Sequence, residues 1–158
     1  MKKWGVYEWS VILCFFFIPL TASMIELLLS HSISTIVDTI LKWVVFSSIG
    51  LRLGSAGFKQ ISQPQFTAKE IFNISDEGAL PLVREIGFAN ISFSVIALGS
   101  LFIPSFRLPS AIAGGLYFGL SGLLHIQKPK ASTEERFAMI TDIYIFLVLL
   151  VLVVLKQI

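Results

Sequence analysis

The sequence predicts an all-α fold: a polytopic helical membrane bundle of about five transmembrane helices, with the N-terminus inside and the C-terminus outside. Three observations lead there. Of 158 residues, 55% are hydrophobic and 14% charged, with a mean hydropathy of +0.83; a soluble domain has roughly 45–50% apolar and about 25% charged residues. The apolar residues gather into runs close to the roughly 20 residues that a membrane-spanning helix needs. Only one connection between runs is long, so five spans would use roughly 100 residues and leave about 58 for every loop and tail. That arithmetic puts 1–158 in one transmembrane domain.

The first span is read at 7–29, with Trp4 and Trp9 where interfacial aromatic anchors belong. Its opening Met-Lys-Lys and the small residues Thr21, Ala22 and Ser23 also have the layout of a signal peptide, an alternative reading of the same segment. The second span, 36–58, carries Asp38, Lys42 and Arg52 and is clean only from Trp43 to Leu51. It reads as a span because Asp38 and Lys42 fall at its mouth, paired at i,i+4. Arg52 lies only about 9 Å from Phe58 along the helix axis, close enough for its long side chain to snorkel outward. The third span, 80–103, starts with Pro81 in its first turn, where a missing N–H is harmless, and Pro104 stops it. Pro109 opens the glycine-rich fourth span, 108–126, and the fifth, 137–155, is almost wholly aliphatic. In the 59–79 loop, Thr67-Ala-Lys-Glu70 has capping-box spacing. A short interfacial helix is expected there, with Phe66, Ile71, Phe72 and Ile74 on its apolar side.

Cytoplasmic loops carry the excess of Lys and Arg, which sets the orientation. With the N-terminus inside, Lys2, Lys3, Lys59, Lys69, Lys128, Lys130 and Arg136 are cytoplasmic, against Lys42, Arg107 and Lys156 outside.

Gly50 and Gly54 in span two, and Gly115, Gly119 and Gly122 in span four, form small-residue ridges of the kind that let helix backbones approach in lipid. Packing of spans two and four against each other is the first reading, and a homodimer face the second.

Ionisable groups inside spans are costly and usually face a bundle interior or cavity. Here the polar groups share one inner layer: Arg52, Arg84, Glu85, Asn90, His125 and Asp142, with Glu8 near the surface. Two cations and two anions could neutralise one another, most simply Arg52 with Glu85 or Asp142. Asn90 offers both donor and acceptor, and His125 is of the residue type that changes charge near neutrality; a balanced ion pair needs neither. Helical phase separates Glu85 from Asn90 by about 140°, so both cannot point at one ligand. On span two, Ser48, Arg52, Ser55 and Lys59 form a polar stripe turned away from Gly50 and Gly54. Glu26, Asp38, Lys42, Arg107 and His31 make a second, outer set, read as solvated mouths and anchors.

Several chemistries are excluded. A net charge of +2 lacks the basic patch that nucleic acid requires. The single Cys14 rules out an internal disulfide and a cysteine-rich metal cage. His31 and His125 fall on opposite sides of the membrane, leaving no metal site. No P-loop, nucleophile elbow or dinucleotide fingerprint is present, and no cofactor is implied.

At Arg84-Glu-Ile-Gly-Phe-Ala-Asn90 and Gly119-Leu-Ser-Gly-Leu-Leu-His-Ile126 the chain resembles an uncharacterised domain family of small bacterial polytopic membrane proteins. The resemblance covers roughly 50–127 and marks Glu85, Gly87, Asn90 and His125 as family pattern residues. It departs at Leu124, where the family pattern has glycine, and in lacking an aromatic and proline-rich stretch before the glutamate. It implies a bacterial inner-membrane location and lends no activity. The functional expectation is a polar pocket or proton-sensitive site at the cytoplasmic side, binding a small ligand or lipid head group. The alternatives are a structural or accessory subunit of a membrane complex or homo-oligomer, and a small membrane enzyme using Glu85 and His125 as acid and base.

Overall fold

The computed structural model describes residues 5–30, 36–127 and 133–157; among these, every regular element is helical. Lys2, Lys3, Trp4, His31, Lys128 and Lys130 lie outside the described residues. Among the described residues there are five long helices, α1 (Val6–Ser30), α2 (36–62), α4 (Leu80–Gly99), α5 (Arg107–Ile126) and α6 (Thr133–Gln157), with the short α3 (64–71) between α2 and α4. Three helical stretches, Val6–Ser30, Glu77–Gly99 and Thr133–Gln157, are long and apolar enough to cross a membrane. The exposed surface is studded with large apolar side chains such as Leu20, Leu28, Val95, Leu120, Ile140 and Val151, as a lipid-facing surface requires and a water-facing one does not.

Local sequence explains the helix ends. Gly5 is extended and its N–H donates to the Glu8 carboxylate at 2.8 Å, so Glu8 caps α1. The helix of the long loop starts earlier than the Thr67 capping box suggested. Pro64 occupies its first turn, where the absent N–H costs nothing, and Thr67 is buried in its middle. It ends at Asn73, in the left-handed conformation at φ 55°, which turns the Ile74 N–H back onto the Ala68 carbonyl at 2.7 Å.

Two wide, π-type turns face one another, at Leu13–Phe17 in α1 and Val45–Leu51 in α2. Pro19 has no N–H to give the Cys14 carbonyl five residues back, and the Ser47 hydroxyl donates to that carbonyl instead. A buried backbone acceptor thereby finds its partner on the neighbouring helix.

The glycine ridges pair differently from the expectation that spans two and four meet. A Cβ on Gly54 would lie 2.5 Å from the Ser94 hydroxyl, and one on Gly57 2.7 Å from the Gly87 carbonyl, so the ridge of α2 packs backbone to backbone on α4. Ser94 donates to the Gly50 carbonyl at 2.6 Å across the same seam. Gly119 and Gly122 of α5 instead receive Phe146 and Ile143 of α6, and Gly115 lies against Leu149. Only Gly114 meets α2, at Ile49. The reason is complementarity: α4 offers small residues, Gly87 and Ser94, where α2 offers glycines, whereas α6 offers bulky side chains that need the hollows on α5. Between these seams lies a core of Val11, Phe15, Leu41, Val45, Ile49, Phe118, Ile145 and Leu149.

The expected pairing of Asp38 with Lys42 is not formed. Lys42 pairs with Glu26 of α1, whose carboxylate also accepts the Trp43 indole N–H at 2.7 Å, and Asp38 pairs with Lys156 of α6 at 2.6 Å. These contacts gather the end of α1, the start of α2 and the end of α6. The opposite end gathers the start of α1, the C-terminal half of α2, the start of α4, the end of α5 and the start of α6 around one cavity. Successive long helices therefore run in alternating directions.

Candidate functional site

The cavity has a volume of about 260 Å³. Each of the six helices contributes to its wall: Tyr7 and Ser10 from α1, Arg52, Ser55, Lys59 and Gln60 from α2, Phe66, Thr67 and Ile71 from α3, Ile86 and Asn90 from α4, Tyr117, Phe118, Ser121 and His125 from α5, and Ala138 and Asp142 from α6. Of the six inner-layer residues, it brings together Arg52, Asn90, His125 and Asp142. Arg84 and Glu85 are exposed on α4 and line no part of it. The inward stripe of α4 is Val83, Gly87, Asn90, Ser94 and Ala97, spaced three and four apart. Glu85 stands two residues, about 200°, from Gly87 on that helix. Glu85 and His125 consequently share no cavity, and the expected acid–base couple is not assembled.

The polar groups fall into two kinds. Some are satisfied by each other. Asn90 Nδ2 donates to Gln60 Oε1 at 2.8 Å, tying α4 to α2. His125 Nδ1 lies 3.2 Å from Glu135 Oε1, tying α5 to the first turn of α6, with both side chains buried. Others have no such partner. Arg52 forms neither of the ion pairs expected with Glu85 or Asp142; its guanidinium lies over the Tyr7 ring, 5.2 Å from the centroid, and its buried Nε has no hydrogen-bond partner. Asp142 lines the same cavity as Arg52 and makes no hydrogen bond or ion pair among the described residues. Asn90 Oδ1 is buried and unpartnered. Lys59 rests on the Phe66 ring at 3.4 Å. The wall thus offers cationic donors at Arg52 and Lys59, an acceptor at Asp142, and apolar flanks at Phe66, Ile71, Phe118 and Ala138. Among the described residues no group of three or more His, Cys, Asp or Glu could hold a metal ion.

Sequence reasoning missed Glu135, which is 1% exposed. The signal was present: Glu135, Ala138, Thr141, Ile145, Leu149 and Leu152 are one stripe at helical spacing, visible once the fifth helix is started at Thr133 rather than Phe137. Gln60 was missed in the same way, continuing Leu53 and Gly57 on the buried face of α2. Tyr7, Tyr117 and Ser121 carried no signal separating them from ordinary span residues.

With this geometry in place, the comparison with known families is informative. The model of a family of unknown function, DUF6790, matches residues 9–158. The chain belongs to that family. The match takes in all five long helices, α1 from Trp9 onward, and every cavity residue beyond the first turn of α1. No curated protein gives a significant match, and no solved structure does.

Proposed function

We propose that this is an integral membrane protein of a bacterial inner membrane, its five long helices crossing the bilayer with the N-terminus inside, and that its cavity binds a small polar ligand or lipid head group at the cytoplasmic side. The observation that carries the reading is a cavity whose wall holds Arg52, Lys59 and Asp142 with no ion pair among them, beside buried Arg52 Nε and Asn90 Oδ1 atoms that have no hydrogen-bond partner. Leaving such groups unpaired is costly in a low-dielectric interior. A layer built only to fix helix packing would pair them, as the Gln60–Asn90 and His125–Glu135 contacts do. The orientation rests on the excess of Lys and Arg in the loops at the cavity end.

The test is native mass spectrometry of the gently extracted full chain beside Ser121→Phe, which puts a ring into the cavity from a half-buried position. Wild type is expected to retain a small ligand or lipid that the variant loses. Equal retention by both would place binding elsewhere. A reporter fused after Ile158 tests the topology, with an external signal expected.

A proton-sensitive role is the second reading, favoured by the buried contact between His125 and Glu135.

A further inference from the structure

The cavity wall is specific about what would satisfy it. Arg52 and Lys59 stand two helical turns, about 10 Å, apart on one stripe of α2, with Ser55 between them. Each is held against an aromatic face, Tyr7 and Phe66, rather than against a carboxylate. A cation on a ring face keeps its outward N–H groups free for an anion. The wall also holds the reverse: Asp142, which makes no hydrogen bond or ion pair among the described residues. A ligand meeting both demands carries a phosphate for the cations and, close to it, a hydroxyl group for Asp142. A simple carboxylate has no such hydroxyl, inorganic phosphate offers only its own P–OH, and a choline head group has none to donate. The volume, about 260 Å³, is below the roughly 300–1,000 Å³ of a drug-sized site, and suits a head group better than an acyl chain.

The mouth points to the route of entry. Of the residues lining the cavity, Val6 and Ser55 are the exposed ones, Val6 at 86%. The opening therefore lies between the start of α1 and the last turns of α2. Beside it is Phe58, 71% exposed, an apolar side chain suited to lipid. We propose that the cavity is a subsite for a phosphorylated polyol, with its phosphate between Arg52 and Lys59 and a hydroxyl on Asp142, entered sideways between α1 and α2. This rests on the cavity-binding reading above and narrows it to one chemistry, whether the polyol phosphate is a lipid head group or free in solution.

The full chain in nanodiscs of phosphatidylcholine doped with phosphatidylglycerol and phosphatidic acid, released into native mass spectrometry, tests it. Wild type is expected to retain phosphatidylglycerol over both others. Arg52→Gln and Lys59→Gln should each lower that retention about tenfold, the worth of one charge-assisted hydrogen bond, and Arg52→Lys should recover part of it in a protein of unchanged circular dichroism. Asp142→Asn is expected to narrow the preference for phosphatidylglycerol over phosphatidic acid, which lacks the head-group hydroxyls. Added glycerol 3-phosphate separates the sources: displacement of the lipid indicates a free polyol phosphate, and no displacement indicates the lipid itself, either outcome supporting the subsite. Retention of phosphatidylcholine equal to that of phosphatidylglycerol and unaffected by Arg52→Gln would overturn the subsite while leaving a binding cavity, provided Ser121→Phe abolished it. Retention untouched by Ser121→Phe would overturn both.

Discussion

The two ends of the helix bundle treat charge in opposite ways. At the end shared by α1, α2 and α6, Glu26 is held by Lys42 and the Trp43 indole, Asp38 by Lys156, and Arg107 Nε donates to the Ser100 carbonyl at 3.2 Å. At the cavity end, Arg52 and Lys59 lie on aromatic rings and Asp142 has no ion pair among the described residues. Both ends contain enough opposite charge to neutralise themselves, so supply is not the difference. One end spends its charges on joining helices, and the other holds them apart around a space. Polar residues at membrane depth therefore separate into fasteners and wall groups only when their partners are known.

The largest expected effect comes from collapsing the frame of the cavity. Gly57→Leu drives a side chain into the Gly87 carbonyl, 2.7 Å from where its Cβ would sit, and is expected to cost about 3 kcal/mol by overpacking a backbone-to-backbone seam. Thermal unfolding in detergent checks it; a wild-type midpoint would mean that α2 and α4 do not meet there. Next is Glu26→Ala, which leaves Lys42, only 15% exposed, without its partner. A loss of about 1–2 kcal/mol is expected in the same measurement. Smaller again is Lys156→Ala, which breaks a pair exposed by 40% and 41% and should cost under about 0.5 kcal/mol, as exposed pairs do. High salt should erase even that difference.

The helical class was legible in the apolar runs, because continuous stretches of about 20 apolar residues fit a spanning helix, whereas a barrel strand alternates over about ten. The division of α4 into two faces was legible too, since phase alone separates Glu85 from Asn90. Which glycine ridge met which helix was not legible. A ridge states that something comes close, while the partner is chosen by what the other surface offers, Ser94 and Gly87 for α2 and Phe146 and Ile143 for α5. Charge pairing failed for a related reason. Asp38 and Lys42 are neighbours in sequence, yet Lys156 lies 118 residues from Asp38 and reaches it from another helix. Glu135 stayed hidden because a charged first turn reads as loop until the stripe behind it is followed back to Thr133.

Asp142→Asn against Glu26→Gln, unfolded side by side in the same ligand-free detergent, tests the contrast between the two ends most directly. Both exchanges remove one negative charge and keep the shape. Glu26→Gln is expected to lower stability by about 1 kcal/mol, and Asp142→Asn to leave it unchanged or raise it, because an unpaired carboxylate in the cavity wall is a cost rather than a support. A loss for Asp142→Asn as large as that for Glu26→Gln would show that Asp142 fastens the bundle, and the cavity end would then be no different in kind from the other.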